Sequence, residues 1–186
     1  MRITPLTEPF EAATGELLTA MMPAGVAPIA LFRTLAKNHE LSRSMHQGQG
    51  SYLLSRRFTV DMRIREIVID RVCARCGCEY EFGVHAAYFA DRVGLTSDQL
   101  RSLVWGGADD DCWTEPRERA AIRFVDALHD TNDVGDKDWR DLGTYFTEEQ
   151  LLDLLVLAGW YHAIGFVARA ARVPLEDWAP TFDSVR

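Results

Sequence analysis

The chain has 186 residues, 47% hydrophobic and 26% charged, with a formal net charge of −8. That composition is ordinary for one globular domain large enough to bury a full core, and its acidic balance argues against a nucleic-acid or anionic-membrane surface. The opening residues MRITPLTEPFEAATGELL show no basic segment followed by an apolar one. No apolar run approaches the roughly 18 to 20 residues that span a bilayer, so a cytoplasmic protein is expected.

Residues 1–28 hold four of the seven prolines and read as an extended arm with one short helical piece, EAATGELLTAMM. Such an arm wraps its own domain or a neighbouring subunit. Residues 29–186 read as a single all-α domain. From Ile29 to His39 the pattern IALFRTLAKNH sets Ala30, Phe32, Leu35 and Ala36 at helical spacings. A second helical piece, HELSRSMHQGQGSYLLS, is weakened by Gly48 and Gly50. Thr59 is placed to cap the next helix, where Met62, Ile64, Ile67, Val68 and Val72 form an apolar stripe. Arg56, Arg57, Arg63, Arg65, Arg71 and Arg75 make this stretch loosely basic, and they read as a solvated face or as partners of local acids.

Gly77, between Cys76 and Cys78, supplies the backbone freedom for a break. A new helix then runs from about Cys78 to Val93, closed by Gly94. Ser97 caps SDQLRSLVW, residues 106–111 (GGADDD) form an acidic loop, and Thr114 opens TEPRERAAIRFVDALHDT. Thr147 with Gln150 reads as a capping box before LLDLLVLAGWYHAIGFVARAA. That last helix is apolar nearly all round, which predicts burial, in part between subunits, and therefore a homo-oligomer. Nothing alternates with period two for long enough to make a strand. The fold class is all-α.

The chemistry concentrates between Glu66 and His85, EIVIDRVCARCGCEYEFGVH, where three of the four cysteines stand among carboxylates and a histidine. Cys78, Glu81 and His85 lie at i, i+3 and i+7, one face of a helix. A thiol at a helix start feels the positive end of the dipole, which favours thiolate, and His85 two turns on can exchange a proton. Glu66 belongs to the preceding helix, and an antiparallel hairpin would return it to His85. The plain alternative is that Cys78 is a small buried hydrophobe and His85 a satisfied core histidine.

Cys73, Cys76, Cys78 and His85 also supply the ligand types of a zinc site, but their spacing fits no common one, so no metal is expected. Cys73 and Cys76 have dithiol spacing, yet they fall at a helix end, where the dipole gives no help. Cys112 sits in the acidic loop as an incidental thiol. Trp160, Tyr161 and His162 read as packing, or as the wall of a pocket beside the Cys78 face.

REIVIDRVCARCGCEYEFGVH resembles the signature of the carboxymuconolactone decarboxylase and alkylhydroperoxidase D-like superfamily. LAKNHELSRSMHQGQ and LVLAGWYHAIGFVARAARVPLE look like its longer members, so the likeness covers most of the chain. The resemblance implies an oligomeric alkylhydroperoxidase D-like helical bundle. It puts the family glutamate on Glu66, the first cysteine of the redox pair on Cys78 and the histidine on His85, while the second cysteine falls on Glu81. It implies an alkylhydroperoxidase-type oxidoreductase acting through Cys78 and His85 on a small-molecule substrate, without a cofactor. Glu81, however, cannot resolve a sulfenic acid, and Cys76 is too close to Cys78 for an unstrained bridge. Two alternatives follow: a cofactor-free lactone or keto-acid decarboxylase, or related acid–base enzyme, using Glu66, Glu81 and His85; and a non-catalytic scaffold or small-molecule binder.

Overall fold

Helices start where a side chain or proline relieves the first free N–H groups, and they stop where the backbone can turn left-handed. The computed structural model describes residues 1–186, built from helices and loops with no strand. In the arm lies α1 (Ala12–Ala20). The N–H groups of Arg2 and Ile3 reach the Ala171 carbonyl and that of Leu6 reaches Arg33, so the arm wraps its own domain.

The stretch expected as one helix from Ile29 is shorter. α2 (Ala30–Leu35) stops, and α3 (His39–Met45) starts anew because the Asn38 side chain accepts from the Leu41 N–H. The glycine-weakened piece becomes a widened π-type turn at His46–Gly50, with Gly48 far from helical geometry, followed by the single turn α4 (Ser51–Leu53).

α5 (Met62–Arg75) is capped by Asp61, not Thr59. Thr59 instead gives both its N–H and its hydroxyl to the Asp153 carboxylate, at 2.9 and 2.8 Å. α6 (Glu79–Val93) follows the break and closes at Gly94, φ 67°. α7 (Ser97–Trp105) is capped by Thr96 in a full capping box with Gln99, one residue before the expected Ser97. α8 (Pro116–Thr131) starts with proline in its first turn, as its missing N–H allows, and Thr114 plays no capping part. α9 (Asp136–Leu142) was not expected, since its single buried residue, Leu142, gives no periodic signal. α10 (Glu148–Ala171) has the expected Thr147–Gln150 capping box.

α5 is the central helix, packed against α6, α8 and α10. The core is continuous across them, with Ile67, Phe82, Ile122 and Leu154 fully enclosed. The arginines of α5 are partners of acids: Arg63 with Glu118, Arg65 with Glu66, and Arg71 with Asp126. Arg65 and Arg71 are buried, so the solvated-face reading does not hold for them.

After α10 the chain returns over α6. The Glu176 carboxylate takes the Ala30 N–H at 2.5 Å and the Tyr80 hydroxyl at 2.7 Å. A Cβ on Gly83 would lie 2.5 Å from the Pro180 carbonyl oxygen, so only glycine lets the strap seat there.

The expectation that no apolar run approaches membrane-spanning length is also corrected. α10 is long and apolar enough by length and composition to cross a membrane: its most apolar stretch has a mean hydropathy of 1.7, and half of that stretch is buried inside the protein. Its few polar residues, Asp153 and His162 among them, interrupt the run too thinly to keep it below that length.

Candidate active site

The hairpin of α5 and α6 builds the site, and a backbone motif sets its geometry. Gly77 adopts φ 65°, the Gly77 N–H reaches the Ala74 carbonyl at 3.0 Å, and the Cys78 N–H reaches back to the Cys73 carbonyl at 2.7 Å. This double closure is a Schellman motif, which ends α5 and turns the chain into α6 antiparallel to it.

Glu66 on α5 therefore meets His85 on α6, with Oε2 2.6 Å from Nδ1. The other Glu66 oxygen takes the Arg65 guanidinium at 2.9 Å, so both carboxylate oxygens are engaged. On the far edge of the imidazole, Nε2 lies 3.0 Å from the Tyr161 hydroxyl of α10 and 3.6 Å from Glu81 Oε2. Nδ1–H donates to Glu66, which leaves Nε2 as the working nitrogen: it accepts from Tyr161 when neutral and faces Glu81 when protonated.

Glu66, Glu81 and His85 are all buried. Burial is the largest single influence on His85 and pushes it down, but the charge and hydrogen bond of Glu66, with Glu81 and Asp70 behind, hold it above its ordinary value. Burial raises Glu81 above the ordinary carboxylate value, against the pull of His85. Asp70, one turn after Glu66, is 1% exposed, and one of its carboxylate oxygens has no hydrogen-bond partner. Burial pushes its carboxyl well above the ordinary carboxylate value.

A cavity of about 400 Å³ opens onto this group. Its walls are apolar, with Leu31, Phe32, Leu35 and Trp160 prominent, and Glu81, His85 and Tyr161 stand in its lining. Arg92 is the only lysine or arginine among the lining residues and lies on the same helix, seven residues beyond His85. A wider surface hollow beside α1, about 910 Å³, is lined by Glu8, Glu11 and Glu16 and does not reach these groups.

The structure thus brings together Glu66, Glu81 and His85 but sets Cys78 apart. Cys78 is 0% exposed and is not part of the cavity lining. It packs toward α10, where a Cβ on Gly165 would lie 3.9 Å from its sulfur. The Schellman turn folds it back toward Cys73, and the neighbouring Cys73 thiol holds it below the ordinary thiol value, the largest effect, against burial. Burial pushes Cys73 well up and Cys76 up to about 11.

Of the aromatic trio on α10, Trp160 and Tyr161 line the cavity. His162 faces elsewhere and stacks on His129 at 6.1 Å. Sequence reasoning did not single out Arg65 or Asp70, and it had Tyr161 only as a wall. The one local signal was the Glu66–Asp70 spacing of four, one turn of a helix.

No protein-family model matches the sequence, and no curated protein matches it. Solved structures do. The apo debrominase Bmp8 is 17% identical, with a TM-score of 0.78 over 99% of this chain and 97% of that one. An uncharacterised peroxidase-related protein from Silicibacter sp. TM1040 is 17% identical, TM-score 0.75, over 100% and 97%. The alkylhydroperoxidase AhpD core of an uncharacterised peroxidase-related protein from Ralstonia eutropha JMP134 is 16% identical, TM-score 0.78, over 95% and 94%. The chain shares the all-α fold of these structures.

Proposed function

We propose that this chain is an acid–base enzyme that moves a proton at the carbon next to a carbonyl group of a small, largely apolar acid. The step is shared by enolisation and by decarboxylation of β-keto acids and lactones. The observation that carries the reading is the partition of reactive groups: Glu81 and His85 face the cavity, and Cys78 does not.

The roles follow from the geometry. His85, held protonated toward neutral pH by Glu66, gives the carbonyl oxygen a charged hydrogen bond from Nε2, with the Tyr161 hydroxyl beside it. Glu81, raised by burial, is poised as the base that takes the proton from the adjacent carbon or, as the acid, returns it after carbon dioxide has left. The electron pair of the broken C–H or C–C bond passes into the carbonyl as an enolate and flows back when the carbon is reprotonated. Arg92 suits a carboxylate at the other end, and seven helical residues place it about 10 Å from His85, which sets the span of the substrate.

The experiment is turnover of a panel of apolar β-keto acids and lactone acids by purified variants. His85→Gln should cut kcat by about a hundredfold or more, while Cys78→Ser stays within about threefold of wild type. The opposite ranking would sink the acid–base reading.

It would favour a second reading, supported by the buried contact of Cys73 with Cys78. There the Cys78 thiolate attacks a hydroperoxide O–O bond, giving a sulfenic acid and an alcohol. Cys73 then displaces water from that sulfur to close a disulfide. The Cys73 sulfur would supply the resolving thiol that Glu81 cannot.

A further inference from the structure

In a chain of net charge −8 arginines have acids to pair with, and Arg63 and Arg71 of α5 do so. One group behaves otherwise. Arg2 of the arm, Arg75 at the end of α5, and Arg169 and Arg172 at the end of α10 line one hollow of about 540 Å³. His129 of α8 and His162 of α10 stand with them, and no carboxylate is in the lining. Arg2 and Arg169 donate to the Ala170 and Cys76 carbonyls, at 3.3 and 2.6 Å. Arg75 pairs with Asp126 and Asp130, yet its Nε is buried without a hydrogen-bond partner.

Cations at helix ends often do no more than offset the helix dipole. That role does not account for Arg2, which lies on no helix. Nor does it account for Arg172, held at φ 53° in the left-handed conformation where a helix end favours glycine. Like charges brought into one hollow repel, and nothing in its lining neutralises them. His129 reports that excess: burial, and then the charge of Arg75, hold it below its ordinary value.

We propose that this hollow binds the phosphate group of a small, single-ring phosphate ester, at a site separate from the catalytic cavity. Guanidinium forks match phosphate oxygens, and a dianion offsets several arginines at once. The hollow adjoins a second pocket of about 170 Å³, the two sharing Arg75, Cys76, His129 and His162. Val125, Leu128, Leu155 and Ala158 give that pocket apolar walls. An apolar cavity of about 150 Å³ holds a benzene ring, so one ring fits beside the phosphate. Orthophosphate alone would engage the arginines and leave the apolar walls unused. Neither space shares a lining residue with the cavity of Glu81 and His85.

Isothermal titration calorimetry of the full chain at low ionic strength tests this with phenyl phosphate, inorganic phosphate and phenol. Phenyl phosphate should bind saturably, about tenfold or more tighter than either fragment. Arg172→Gly should weaken it by about tenfold or more, because a charged hydrogen bond to phosphate is lost, and Arg2→Ala should do likewise. Glycine suits the left-handed backbone at position 172, so that variant should melt no lower than wild type. In NMR, bound phenyl phosphate should raise the His129 titration and leave that of His85 where it is. No saturable heat up to roughly 5 mM, undiminished affinity in Arg172→Gly and Arg2→Ala, a fragment that matches phenyl phosphate, or an unmoved His129 would each overturn the proposal.

Discussion

His85 is pulled in opposite directions by burial and by its acidic neighbours. Burial drives it toward neutrality, and it is charged toward neutral pH only because Glu66 sits 2.6 Å away with Glu81 and Asp70 near. Removing the Glu66 charge leaves burial in command. In Glu66→Gln the His85 titration followed by NMR should therefore fall from above the ordinary value of 6.5 to below it. A midpoint that stays above 6.5 would mean that Glu66 does not set the charge of the site.

The same shifts fix the pH dependence of stability. His85, Glu81 and Asp70 are all raised in the folded chain. Each contribution is fully present below the group's unfolded value and is lost as pH rises through the folded one. Stability from this cluster therefore declines from mildly acidic toward alkaline pH, the reverse of a surface carboxylate held down by an arginine.

At the scale of elements, the site depends on one turn. Gly77 at φ 65° lets α5 and α6 double back, and the same closure lays Cys78 against Cys73. Gly77→Ala should destabilise the chain by about 1 to 2 kcal/mol, measured from the urea midpoint, because an L side chain resists the left-handed region that Gly77 occupies. An unchanged midpoint would show that the turn does not hold the hairpin. Much of this level was legible in the residues. Gly77 and Gly94 announce left-handed stops, Thr147 with Gln150 announces a start, and the i, i+3, i+7 spacing of Cys78, Glu81 and His85 announces a face.

What was not legible depends on partners distant in sequence. Thr59 is drawn from capping by Asp153, 94 residues away, and Tyr161 reaches His85 across 76 residues. The separation of Cys78 from the cavity follows from packing against Gly165, which helical spacing within α6 does not contain.

At the scale of the whole molecule, a fold shared with peroxidase-related and debrominase structures holds a cavity lined in part by Glu81 and His85, with Cys73 and Cys78 buried outside that lining. The fold alone is compatible with either chemistry, and the access of each group to the cavity separates them. The most direct measurement is deuterium wash-in from D2O at the carbon beside the carbonyl of apolar keto acids, followed by NMR. Wild type and Cys78→Ser should exchange that position at similar rates, and Glu81→Gln should slow it by about a hundredfold. Exchange that persists in Glu81→Gln, or that disappears with Cys78→Ser, would contradict the account.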